Sequence, residues 1–363
     1  MSSPGSGRSA GMAAVAALAV VALVCGPAAA SGARAGDPVK GSVVPPPTVR
    51  IWGVDAIGTA IANSERSFPV IYGPAGAVVL ARSDYYSDAL AGGPLSVAVN
   101  GPLLITPGAA LSATLDPRVL AEIQRVIPAG DPVVILGGPL ALSPSIDATL
   151  VGLGYAVARV QGANQFATAV SIADVIGLGL GHTPTIFEAT GLHFADALSA
   201  VPAVILKRGA ILLTNGATQS PETAAYIAAN PTVKRYAIGG PLAAYGADPT
   251  AIPVYGDDLW ETSAAVAETF FPFGTFGWPA FGAATGFNFP DALSGGPTMR
   301  GYGPMLLVGP HAPLPSSIAT YLATQGCQIQ GLVFGGPLAV GDDVLAALEA
   351  AVVPLGGCGP AMP

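Results

Sequence analysis

Apolar residues in this chain come in short solid runs rather than in alternation with polar ones. "AVVLAR" (77–82), "PLLIT" (102–106), "VVILGG" (133–138) and "YAVARV" (155–160) are bounded by Gly, Pro or Asn and show no in/out pattern. Such runs predict strands covered on both faces, usually parallel ones. Between them lie helical patterns such as "LSATLDPRVLAEIQRVI" (Leu111–Ile127) and "SPETAAYIAAN" (Ser220–Asn230). In the second, Ser220 is placed to cap the helix, Pro221 to be its first residue and Glu222 to supply a favourable early acid. Strand and helix in alternation predict an α/β protein with mainly parallel sheets.

The pattern recurs three times. "YYSDALAGGP" (85–94), "LHFADALSAVP" (192–202) and "NFPDALSGGP" (288–297) each place an aromatic (Tyr86, Phe194, Phe289) two residues before an Asp (Asp88, Asp196, Asp291). A Pro follows six places after each Asp. A second motif ends an apolar run in Gly-Gly-Pro-Leu-Ala, with glycines Gly137-Gly138, Gly239-Gly240 and Gly335-Gly336. The interval from Asp to the first of these glycines is 49, 43 and 44 residues. Between the two motifs stands "PLLIT", "AILLT" or "PMLLV", starting 13 or 14 residues after the Asp. Each unit opens on a weaker piece: "RIWGVDAIGTA" (50–60), "RVQGANQFATA" (159–169) or "PVYGDDLWETS" (253–263). Four landmarks in fixed order, at spacings of about 100 residues, mark a triplicated unit longer than a solenoid repeat.

Each Asp follows a predicted strand and a short loop, where a helix begins. There it would cap free N–H groups, with the upstream aromatic stapling the loop to the core; a functional role stays open beside that one. The Gly-Gly-Pro stretch closes a strand, at the edge where ligands of open parallel sheets bind. It reads either as an anion seat at a helix start or as a tight turn needing glycine. The full G-x-G-x-x-G dinucleotide pattern is absent.

Composition narrows the field. Charged residues are 10% of the chain against roughly 25% in ordinary domains, and hydrophobic ones 51%, so most of each element is expected inside. The formal net charge is −8 and no basic cluster exists, which argues against nucleic acid as a partner. Residues 1–30 read as an export signal: Arg8, then the apolar "MAAVAALAVVALVC" (12–25), then small residues at Ala28-Ala29-Ala30. The apolar stretch is short of the roughly 20 residues of a membrane span, so no membrane association is expected once it is cleaved. The mature chain then keeps Cys327 and Cys358, which outside the cytoplasm either pair or stay buried.

Catalysis requires a matched set of groups, and the units share none. Ser199, His193 and Asp196 crowd one local segment without a nucleophile elbow. Asp257-Asp258 and Asp342-Asp343 read as helix-start charges, and one shared Asp per unit is too few for a metal site. Repeated instead are three equivalent loops carrying an aromatic, an Asp and glycine-rich backbone. Three weak sites on one chain can hold an immobile polymer by avidity.

Taken in order, these motifs resemble the type 2 cell-wall-binding repeat, over essentially the whole mature chain from Arg50 to about Val353. The resemblance implies three Toprim-like α/β repeats in a pseudo-threefold arrangement, and non-covalent attachment to anionic polymers of a Gram-positive wall. It also implicates the Ile-Leu-Leu segment in attachment, here Leu103-Leu104-Ile105, Ile211-Leu212-Leu213 and Met305-Leu306-Leu307. The Arg that usually precedes the aromatic of the opening motif is replaced by Ala56, Gln165 and Leu259. The second unit also carries Ala200-Val201 in place of Gly-Gly. An acidic chain without those cations needs Ca²⁺ or backbone N–H groups to meet an anionic polymer, or another wall glycan as its partner. No organic cofactor is expected.

The expected organisation is a signal (1–30), a Pro-rich linker (31–49), units at 50–158, 159–252 and 253–353, and a tail (354–363). With no effector domain visible, the chain reads as a non-catalytic, exported attachment protein at the cell surface. The alternatives are a secreted wall hydrolase and a surface-layer subunit. Oligomeric state is not legible in the sequence.

Overall fold

The short apolar runs become strands of three four-stranded, all-parallel sheets in the computed structural model, which describes residues 48–272, 280–324 and 330–352. The export signal, Cys327 and Cys358 lie outside the described residues. The first unit comprises β1 (Val49–Ile51), α1 (Ala56–Ser67), β2 (Val78–Arg82), α2 (Gly92–Ala98), β3 (Leu103–Thr106), α3 (Pro117–Val126), β4 (Pro132–Leu136) and α4 (Pro144–Gly152). The second comprises β5 (Ala156–Val160), α5 (Gln165–Leu180), β6 (Thr185–Thr190), α6 (Ala195–Leu206), β7 (Gly209–Thr214), α7 (Pro221–Ala229), β8 (Arg235–Ile238) and α8 (Ala244–Ala247). The third comprises β9 (Ile252–Val254), α9 (Leu259–Phe270), β10 (Ala280–Thr285), α10 (Pro290–Thr298), β11 (Met305–Val308), α11 (Ser316–Thr324), β12 (Gln330–Phe334) and α12 (Asp342–Ala351).

Among the described residues, side-chain caps set six of the twelve helix starts. Ser220 accepts from the Thr223 N–H with Pro221 first in α7, as the sequence predicts. The stretch Leu111–Ile127 is helical only from Pro117, because Asp116 caps there and Pro fits the first helical position. Asp55, Asn164 and Asp258 stand at equivalent places in the opening motifs. Each accepts from the N–H three residues on, starting α1, α5 and α9.

The sheets run β3-β2-β4-β5, β7-β6-β8-β9 and β11-β10-β12-β1. Each therefore borrows its fourth strand from the opening segment of the next unit. The third sheet takes β1, with Val49 beside Leu332 and Ile51 beside Phe334, so the two ends of the chain close the three units into a ring.

At the middle of the ring, α2, α6 and α10 pack on one another. Gly93, Val201 and Gly296 occupy equivalent positions there, five residues after the motif Asp. A Cβ on either glycine would come within 2.9 Å of the Val201 side chain. One valine fills a space that three glycines would leave open and three valines would overfill. The departure of the second unit from Gly-Gly is thus a packing solution at the pseudo-threefold axis.

Candidate functional site

In each sheet the chain leaves the two central strands in opposite directions. From β6 it passes through α6 to β7 on one side, and from β8 through α8 to β9 on the other. This divergence opens a crevice at the C-terminal ends of the central strands, where parallel sheets seat ligands. The loop after β2, β6 or β10 carries the motif Asp, and the loop after β4, β8 or β12 carries Gly-Gly-Pro. The two motifs therefore meet at every switch point.

The contact is close. Gly137, Gly239 and Gly335 have φ of +83°, +105° and +106°. An added Cβ would lie 2.6, 2.4 and 2.5 Å from an Oδ2 of Asp88, Asp196 and Asp291 respectively. Only glycine suits both the backbone and the carboxylate above it. This corrects the capping expectation. Phe194 and Phe289, not the Asp residues, stand at the N-caps of α6 and α10, and no side chain caps these helices or α2. Asp196 and Asp291 sit inside the first helical turn, and Asp88 in the turn before α2.

Of the two readings of Gly-Gly-Pro, the tight turn is the one observed. The Ala141, Ala243 and Ala339 N–H groups each donate to the carbonyl of the second glycine, at 2.9 Å. In the first and third units the helix starts several residues later, at Pro144 and Asp342. Leu140, Leu242 and Leu338 are thrust outward on the turn tips, 89%, 91% and 99% exposed. The repeat of an apolar residue at a turn tip was the overlooked signal for this apolar rim.

The three aromatics do more than staple their own loops. Tyr86, Phe194 and Phe289 converge from three units, with ring centroids 5.5, 5.6 and 6.0 Å apart, and the Tyr86 hydroxyl donates to the Leu192 carbonyl at 2.8 Å. They form a plug over the axis, and Phe194 also lines the crevice between the second and third units. Leu103–Ile105, Ile211–Leu213 and Met305–Leu307 are buried in β3, β7 and β11, an edge strand in each sheet, beneath α1, α5 and α9. They take no part in the crevices.

The opening motif of the following unit forms the far wall of each crevice. Trp52, Gln161 and Tyr255 lie against Gly336, Gly138 and Gly240. Thr59, Thr168 and Thr262 accept from the Gly53, Gly162 and Gly256 N–H groups at 3.1–3.2 Å, and the Thr59 hydroxyl also bonds Asp291. Two arginines brace this wall. Arg50 donates to the carbonyls of Gly335 (2.9 Å) and Val340 (2.7 Å) and pairs with Asp342. Arg159 donates to the carbonyls of Gly137 (2.9 Å) and Gly138 (3.0 Å) and pairs with Asp147. The third opening motif has Pro253 at that place, and among the described residues no such brace reaches Gly239.

There, between the second and third units, lies an open crevice of about 530 Å³. Asp196 is in its floor, with Leu242 and Tyr255 on its walls and Asp257, Asp258 and His193 at its edge. Burial pushes the Asp196 carboxyl up to about 6. Burial also raises Asp291, although the Thr59 hydroxyl partly offsets it. Ser199 is buried and gives its hydroxyl to the Asp196 carbonyl, so it forms no relay with His193. Among the described residues no group of three His, Cys, Asp or Glu side chains could hold a metal ion.

A second polar cluster lies behind the crevice. Glu188 in β6 is wholly buried and accepts from Gln219 at 2.6 Å, while Arg235 bonds Asp248 at 2.8 Å. Burial pushes Glu188 well above the usual carboxylate range. Its Oε1 has no hydrogen-bond partner, and the Arg235 Nε lies 3.6 Å from it.

Comparisons with known proteins come down on the same three units. A family model described as Cell wall binding domain 2 (CWB2) matches residues 50–147, 159–244 and 254–345. The N-acetylmuramoyl-L-alanine amidase LytC of Bacillus subtilis (strain 168) is 26% identical over 250 residues, covering 68% of this chain and 47% of the amidase. The structure of Cwp6 from Clostridium difficile superposes with a TM-score of 0.72 at 19% identity, over 89% of this chain and 50% of that one. Cwp8 from the same organism gives 0.71 at 21%, over 84% and 51%. This chain spans about half the length of each of these relatives.

Proposed function

Because the chain belongs to the cell wall binding domain 2 family, whose model matches all three units, we propose that it is an exported, non-catalytic attachment protein that holds a wall polymer in its switch-point crevices. The observation that carries this reading is the convergence of Asp and Gly-Gly-Pro at three equivalent places around one ring. Three weak sites on a rigid ring hold an immobile polymer far more firmly than one. The partner is a wall polymer, either the anionic one or another glycan. The lining of the open crevice favours a glycan, since among the described residues it includes neither lysine nor arginine. The buried Leu103–Ile105, Ile211–Leu213 and Met305–Leu307 would support attachment only through the fold.

Sedimentation tests the reading. The mature chain is expected to pellet with isolated walls and to stay in solution without them. A chain that remains soluble beside intact walls overturns the proposal. Release of wall fragments by the purified protein would favour the hydrolase alternative, and ordered two-dimensional assembly without walls the surface-layer one.

A further inference from the structure

The crevice between the second and third units has a chemistry of its own. Its volume of about 530 Å³ falls within the range of small-molecule sites, roughly 300–1,000 Å³. Asp196 lines it, half-buried and partly desolvated by the surrounding protein. Among the described residues no hydrogen bond reaches its carboxylate. Asp291, at the equivalent place in the third unit, has the Thr59 hydroxyl. A partly desolvated carboxylate without a donor is costly, and such sites persist where a ligand supplies the missing bond.

The lining narrows what that ligand can be. Asp196, Asp257 and Asp258 face the space with no lysine or arginine among them, so a phosphate or carboxylate would meet three like charges within a Debye length. A metal ion lacks a ligand set among the described residues. The walls are amphipathic: the Tyr255 ring, Leu242 and Leu259 offer apolar surface, and glycine backbone offers polar groups between them. Apolar faces with hydroxyl edges describe a sugar ring. Pro253 leaves this wall without the arginine that braces the other two, so the crevice stays open to receive one.

Resting on the wall-attachment reading and sharpening it, we propose that this crevice seats an uncharged sugar ring of a wall glycan, with hydroxyl groups donating to Asp196 and one face packed on Tyr255. The glycan, not a phosphate-bearing polymer, is then what this junction recognises.

The test uses the whole mature chain and two wall preparations, untreated and stripped of phosphodiester-linked polymers with cold hydrofluoric acid, each in low and high salt. Binding is expected to survive stripping and salt within about twofold, since no ion pairs are broken. Asp196→Asn is expected to weaken it at least about tenfold without lowering the melting temperature. Glu188→Gln makes a similar change in the same unit outside the crevice and is expected to leave binding within about twofold. Loss of binding on stripping or in high salt overturns the proposal, as does an Asp196→Asn protein that binds like the parent. Absence of binding to untreated walls would instead overturn the attachment reading itself.

Discussion

The junction that closes the ring and the junction between the second and third units share one architecture and have diverged in use. At the first, β1 completes the sheet of β12, Arg50 bonds two carbonyls of the preceding unit, and Asp291 has a hydroxyl partner. At the second, β9 completes the sheet of β8, a proline stands where the arginine would be, and among the described residues Asp196 has no partner for its carboxylate. One junction ties more of its polar groups internally, while the other leaves more of them free for a ligand. Triplication explains how both arise: three copies give the ring its closure, and any one copy is then free to lose a brace.

The largest effect is expected where the brace is strongest. Arg50→Ala removes two charge-assisted bonds to backbone carbonyls, together with the ion pair to Asp342, and leaves those carbonyls in a partly buried position. A loss of about 3–5 kcal/mol is expected in denaturant unfolding, because charged hydrogen bonds contribute about 1.5–3 kcal/mol each. The strand it stabilises, β1, has only three residues, so weakened pairing with β12 is expected to appear as faster amide exchange at Leu332–Phe334. Unchanged stability would mean that the ring is closed by packing alone and that the arginine does not set the two junctions apart.

Much of this was legible in the sequence, and the part that was not has a definite cause. The runs 77–82, 102–106, 133–138 and 155–160 became β2 to β5 because parallel strands buried on both faces leave a local signature. The helix starts at Ser220 and Pro221 were equally local. The role of the motif Asp was not. Its capping geometry looked sufficient from neighbouring residues, whereas its actual contact is a glycine more than forty residues away. The meeting of Tyr86, Phe194 and Phe289 is a three-body contact between units, and a repeated aromatic says nothing about whether its copies touch. Nor could the spacing show that β1 pairs with β12, since that needs the ring itself.

A smaller effect of opposite sign is expected at Asp196. Its carboxyl is raised from 3.8 to about 6 in the folded chain. The cost of holding it charged is therefore absent below pH 3.8, grows between 3.8 and 6, and is full above 6. At pH 7 that cost is about 3 kcal/mol as an upper figure. Asp196→Asn is expected to raise stability at pH 7 by about 2–3 kcal/mol, with the gain vanishing as the pH falls to about 4. Reading the difference between variant and parent removes the contribution of Glu188, whose raised carboxyl changes both curves alike. A gain that did not depend on pH would show that the charge of Asp196 is not what the fold resists. Coupled with weaker binding, a pH-dependent gain marks a residue retained at the expense of the fold.

The smallest effect is the most informative about the comparison. Pro253→Arg installs at the open junction the residue that Arg50 and Arg159 supply at the other two, next to Gly239 and Gly240. Position 253 lies in the edge strand β9, paired with Ala237, where an arginine is tolerated and a proline N–H is not missed. If the new guanidinium reaches the glycine carbonyls as Arg159 reaches those of Gly137 and Gly138, stability rises by about 1 kcal/mol. The turn carrying Leu242 is then tied to the Tyr255 wall, and glycan affinity is expected to fall several-fold because the crevice can no longer adjust to its occupant. A variant more stable and equally adhesive would show that the brace is only structural and that openness at this junction is an accident of the copy. If openness serves binding, stability and affinity move in opposite directions.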